Sequence, residues 1–127
     1  MQGEGYADEY SRFMYAICLQ SYARICHVIA GDNYCDDKAI ALRIVSHYTK
    51  ALDLLKGVGR TNKNAIVDIA MAIAYYSLGI LPDSSLDREE LLNKAEKLTD
   101  ELICKTGIPF LYLFRRSIRS ERKKLSK

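Results

Sequence analysis

The stretch Ile66 to Leu78, IVDIAMAIAYYSL, constrains this chain more than any other, because only Asp68 and Ser77 in it are clearly polar. It falls short of the roughly 20 apolar residues needed to cross a bilayer. Its Ala, Met and Leu content argues against a strand. A helix that is apolar nearly all the way round must be covered on most sides. The stretch is therefore the expected central helix of a small domain, over about residues 62–79. The fold class that follows is all-α: a compact bundle of four to five antiparallel helices around that centre.

The 127 residues, with only two prolines and seven glycines, suit helices joined by short connections. A chain of this length can bury one core without disulfide or metal staples. No linker or low-complexity tract divides it. The expected organisation is a helical bundle over residues 1–114, continued by a basic extension of the last helix over 115–127.

Local signals place the remaining helices. The first should run from about Tyr6 to Ala30, with Met14, Ile17, Cys18, Ile25, Val28 and Ile29 as its core face. Gly31 ends it. The second should start at Asp36 or Asp37 and bury Ala41, Ile44, Val45, Tyr48, Ala51, Leu52 and Leu55, with Gly57 and Gly59 closing it. Thr61 or Asn62 then starts the central helix, and Gly79 with Pro82 stops it. Asp87 and Glu90 stand at capping-box spacing, and Leu86 with Leu91 at staple spacing, at the head of a fourth helix. Its face is Leu91, Leu92, Ala95, Leu98, Leu102 and Ile103. After Thr106, Gly107 and Pro109, the run Phe110 to Phe114 should dock on the core as a fifth helix. The basic remainder should project and fray towards Lys127.

Two stretches resemble the helical hairpins of tetratricopeptide repeats. His47 to Lys56, HYTKALDLLK, is similar to a second repeat helix, with Tyr48 and Ala51 at its large and small positions. Ala74 to Gly79, AYYSLG, resembles the end of a first helix, and Leu91 to Leu98, LLNKAEKL, the helix that answers it. Over the same region, about residues 40–98, the chain is similar to the three-helix microtubule-interacting-and-transport domain. It departs from the repeat in its longer Gly79–Asp87 loop, in Ala72 where Gly is usual, and in lacking the closing Pro. Either resemblance implies binding of a peptide or helix from a partner protein. The matched positions are packing positions, so neither carries over ligand-clamping residues.

Charge is distributed unevenly. Residues 1–104 hold 11 Lys/Arg against 15 Asp/Glu, whereas residues 105–127 hold 8 basic residues and Glu121 alone. Arg115, Arg116, Arg119, Arg122, Lys123, Lys124 and Lys127 crowd into the last thirteen positions. Arg115, Arg119 and Arg122 share one side of a helix, with Arg116 and Lys123 flanking. Such a strip can neutralise phosphates and gain affinity from counterion release, reading backbone and shape rather than sequence. An anionic membrane surface is the less favoured partner.

Other residue types give little chemistry. Cys26, His27, Cys35 and His47 are zinc-ligand types, but no CxxC or HxxxH pair seats two of them on one turn. A Cys26–Cys35 disulfide is an alternative to free thiols packed in the core. A thiol enzyme needs a base beside its Cys, and each Cys here falls on or beside an apolar face. Arg43 and His47 read as a surface pair one helical turn apart. Gly57-Val58-Gly59-Arg60 lacks the Lys-Ser/Thr of a phosphate loop. Asp68 is the odd residue of the central helix, expected on an exposed strip or paired with a Lys.

No metal, cofactor or catalytic set is expected. No segment reads as a signal peptide or as long and apolar enough to span a membrane, which suggests the cytoplasm or a virion interior. The leading expectation is a non-catalytic helical subunit of a larger assembly, binding a partner protein or itself. The alternative is a nucleic-acid-binding or packaging subunit that grips phosphates through residues 115–127.

Overall fold

The computed structural model describes the backbone of residues 2–31, 38–61, 64–83 and 86–126, and the side chains of those segments apart from 2–8 and 61. Five helices follow one another: α1 (Gln2–Ala30), α2 (Lys38–Thr61), α3 (Ala65–Gly79), α4 (Arg88–Thr106) and α5 (Pro109–Ser126). Among the described residues there is no strand. The all-α fold class expected from the sequence is the one observed.

Each helix packs chiefly on its sequence neighbours, with α1 also touching α3. Two apolar clusters record the directions. Ala16 of α1 lies with Leu55 and Val58 of α2 and Val67 of α3, whereas Ala23 lies with Ile44, Tyr48 and Ala74. Moving forward along α1 and α3 thus means moving backward along α2, so the hairpins are antiparallel. The larger cluster continues through Leu78, Leu81, Leu92 and Ala95 to Ile118 of α5.

α3 occupies the predicted centre, with Val67, Ala70, Ala72, Ala74, Tyr75 and Leu78 all buried. Its start differs from the expected Thr61 or Asn62. The Asn64 side chain accepts from the Ile66 amide at 2.9 Å and caps the helix instead. Asp68 consequently sits in the first turn, where a carboxylate complements the positive end of the helix dipole.

α2 also departs from expectation: it runs through Gly57 and Gly59 to Thr61. Each glycine costs a helix interior roughly 1 kcal/mol relative to Ala. Val58, buried between them in the α1–α2–α3 cluster, holds that turn helical. The stripe from Ala41 to Leu55 is otherwise as read.

The remaining ends are well explained. Gly31 (φ +51°) and Gly107 (φ +63°) take the left-handed conformation after α1 and α4, which glycine adopts without penalty. The Gly107 amide donates to the Ile103 carbonyl. Asp87 caps α4 by accepting from the Glu90 amide at 3.1 Å, and Leu86 and Leu91 both pack on the core. Gly79 serves packing: a Cβ there would lie 2.7 Å from Leu92 Cγ and Cδ2. The close approach also lets Arg88 Nε donate to the Gly79 carbonyl at 2.9 Å. The expected caps Asp36 and Asp37, and Cys35 with its candidate bridge to Cys26, lie outside the described residues.

Candidate functional site

The first helix is where sequence and structure part most clearly. Its core face is made by Phe13, Ala16, Ile17, Gln20, Ala23 and Cys26, with Ala16, Gln20 and Ala23 buried. Gln20 crosses to α3, donating through Nε2 to the Ala70 carbonyl at 2.9 Å. Of the six residues expected on that face, only Ile17 packs there. Met14 and Cys18 are exposed, as are Ile25 at 56%, Val28 at 71% and Ile29 at 79%. They form a second apolar stripe, opposite the first.

The choice follows from packing. Small residues at 16 and 23 let α1 approach α2 closely, and Gln20 finds a carbonyl that pays its desolvation. The large apolar residues are left outward. The charged residues Glu9, Arg12 and Arg24 fall off the stripe when successive residues are turned by 100°. From Phe13 to Ala23 the helix holds no formal charge at all.

That double-sided character also corrects the reading of membrane potential. Glu9–Ala30 reaches span length with a mean hydropathy of 1.2, and 17% of its most apolar window is buried in the bundle. By length and composition it therefore overturns the expectation that no segment is long and apolar enough to span a membrane. Core helices pass the same test, and the Gln20–Ala70 bond ties α1 into this bundle.

α5 carries the predicted phosphate-binding residues, and it does not project. The helix continues unbroken to Ser126, with Leu111 and Ile118 fully buried and Leu125 packed on the core. Its opening docks only in part: Phe110, Tyr112 and Leu113 are exposed, because one helix face holds just Leu111, Phe114 and Ile118.

Three of the predicted cations are engaged by acids of α4. Arg115 Nη1 lies 3.2 Å from Asp100 Oδ1. Glu96 takes both Arg119 Nε at 3.2 Å and Arg122 Nη1 at 2.6 Å. Lys124 pairs with Glu121 at 3.1 Å. Burial alone would raise the Glu96 pKa, but the hydrogen bonds and charges of Arg122 and Arg119 together outweigh it and hold the carboxyl below its ordinary 4.5. Arg116 and Lys123 make no ion pair among the described residues, and Lys127 lies outside them. Both line a shallow hollow with Tyr112, Arg115, Arg119 and Ser120. The strip seen in sequence is thus largely a clamp between α4 and α5.

A third surface has no counterpart in the sequence reading. The odd-numbered helices frame a groove of about 430 Å³, floored by α3 and walled by α1 and α5. Ile73, Tyr76, Ser77 and Ile80 form the floor together with Tyr48 of α2; Arg24, His27 and Val28 form one wall, and Phe110, Phe114 and Ser117 the other. Burial pushes the Tyr48 and Tyr76 phenols up, although a Ser77 hydrogen bond to Tyr48 and the Arg24 charge near both rings act oppositely. Burial lowers the His27 pKa below 6.5.

The other candidates are not assembled into a site. Among the described cysteines, Cys18 and Cys104 are exposed, against the expectation of thiols packed in the core, and Cys26 is half-buried against that core. His47 meets the Tyr22 ring at a tilt of 39°, with centroids 5.1 Å apart. Among the described residues, no three His, Cys, Asp or Glu side chains gather as a metal site would require. No protein-family model, curated protein or solved structure matches the chain.

Proposed function

We propose that this chain is a non-catalytic assembly subunit whose outward α1 stripe packs against a second copy of itself. One observation carries the reading: Met14, Ile25, Val28 and Ile29 are exposed on a helix whose other face is already committed to the core. A contiguous apolar surface of this kind marks an interface. Ser11, Met14, Cys18, Ser21, Ile25 and Val28 alternate at spacings of three and four, the repeat of a helix–helix seam.

Charge and symmetry favour a like partner. In a two-fold pairing each residue near the axis meets its own copy, so a charge there would repel itself. The middle of the stripe has none, and Ser21 allows close approach. Antiparallel pairing about Ser21 and Tyr22 sets Met14 against Ile29 and Cys18 against Ile25. Covering four half-exposed side chains on each copy is worth roughly 6–12 kcal/mol, against an association cost of about 4–15 kcal/mol. The expected complex is reversible rather than obligate. Sedimentation equilibrium over a wide concentration range tests it: the wild type should dimerise and the I25K/I29K variant stay monomeric. A wild type that is monomeric throughout overturns the reading.

A second reading keeps nucleic acid as the partner, favoured by the α5 hollow that Arg116 and Lys123 line together with Tyr112. Phosphate contact with stacking on the ring would suit a single strand. Titration with single-stranded RNA and duplex DNA at two salt concentrations tests it. Salt-sensitive binding lost in R116E/K123E supports this reading, and no binding at low salt ends it.

A further inference from the structure

The groove over α3 is separate from the α1 seam and has a different chemistry. Met14, Cys18, Ile25 and Ile29 take no part in it; only Val28 lies at its edge. Its α5 wall is aromatic and pre-assembled. Phe110 and Phe114 are stacked with centroids 5.9 Å apart and an interplanar angle of 13°. Phe114 meets Tyr76 edge-on at 5.2 Å. Phe110 nevertheless stays 51% exposed, so this wall presents apolar surface that the chain does not cover.

The facing wall is basic. Arg24 is exposed and makes no ion pair among the described residues, and it is near enough to influence both the Tyr48 and Tyr76 phenols. No Asp or Glu lines the groove, and Glu121, whose charge reaches the Tyr76 phenol, is paired with Lys124. From Ile73 to Ile80 the floor is about two helical turns, roughly 10 Å. The volume of about 430 Å³ is within the range of sites that enclose a ligand.

We propose that this groove binds a short amphipathic segment of a partner protein, presenting a carboxylate to Arg24 and bulky apolar side chains to Phe110 and Phe114. Charge complementarity selects that occupant. A basic segment would set its cations against Arg24, with Glu121 already paired to Lys124, and a purely apolar one would bury the guanidinium unpaired. Docking an apolar face into a groove between helices is a common recognition mode. A carboxylate beside that face adds a charge-assisted hydrogen bond.

Selection of displayed random dodecapeptides on the immobilised full chain tests the proposal. Wild type should enrich peptides with Asp or Glu beside Phe, Leu or Trp. A synthesised winner should bind R24E and F110S at least about tenfold more weakly, and selection on R24E should favour Lys or Arg instead. Circular dichroism melts of both variants establish that the fold is intact, and both positions are exposed. The I25K/I29K variant should bind the winner as wild type does, whatever its own oligomeric state. Failure to enrich any peptide, winners without an acid, or winners indifferent to R24E overturn the proposal. So do winners lost only in I25K/I29K, since these would be seated on the α1 stripe.

Discussion

In α3 most apolar residues find cover within the chain, Ile66 being the exposed exception; in α1 they find it on only one side. Both helices lack charge over long stretches, and hydropathy alone treats them alike. α3 is enclosed by α2, α4 and part of α1, so Val67, Ala74, Tyr75 and Leu78 all lie in the interior. α1 stands at the edge of the bundle and turns Ala16, Gln20 and Ala23 inward, leaving Ile25 and Ile29 in the open. The difference teaches that an apolar residue on a helix states a need for cover without saying who supplies it. For α3 the supplier is this chain. For α1 we propose that it is another molecule.

Substitutions can break that comparison, the largest effect first. L78A, on the enclosed helix, should lower unfolding free energy by about 2–4 kcal/mol in a urea titration. G79A places a Cβ against Leu92 and should cost about 1–3 kcal/mol, because either Leu92 or the α3–α4 approach must shift. A variant that also carries L92A should recover part of that loss, and a pair with purely additive costs would refute the clash.

The α4–α5 clamp sharpens the contrast, since it joins an edge helix by charge rather than by apolar cover. Glu96 is held below its ordinary pKa in the fold. A depressed carboxylate stabilises fully above its unfolded pKa, and that contribution is lost as pH falls through the folded value. Stability should therefore drop as pH falls below the ordinary carboxyl range, with E96Q flattening that part of the profile. At neutral pH E96Q should cost about 1–2 kcal/mol, less than a fully buried network because Arg119 is exposed. An unchanged pH profile in E96Q would remove Glu96 from the account.

The smallest effect on folding belongs to the α1 stripe. I25K and I29K should each change the stability of the monomer by no more than about 0.5 kcal/mol, although a hydrophobic residue is replaced by a charge. A large loss in a dilute sample would show these residues covered within the chain.

Much of the fold was legible because its signals are local. The Asp87 cap, Gly31, Gly107 and the α2 stripe each rest on a few neighbouring residues. The errors arose where two local answers competed. On α1 the larger apolar residues suggested one face, but Ala16 and Ala23 win the core by permitting close approach, and a glutamine joins them because Ala70 offers its carbonyl. Gly57 and Gly59 signalled an end that the burial of Val58 overrides. On α5 the ion pairs of Arg115, Arg119 and Arg122 left no sequence signal, since their partners, Glu96 and Asp100, are remote in sequence. The groove left no sequence signal, because its residues come from four helices and meet only in the folded chain.

Hydroxyl-radical footprinting at rising protein concentration tests the central claim most directly, because it reads side chains on different faces in one sample. Met14, Tyr22 and Ile25 report the α1 stripe, while Tyr112 and Leu113 report exposed apolar surface on α5. The account predicts that the α1 residues become protected as concentration rises while the α5 pair keep their reactivity. Equal reactivity of Met14 and Ile25 at every concentration, or protection confined to Tyr112 and Leu113, would contradict it.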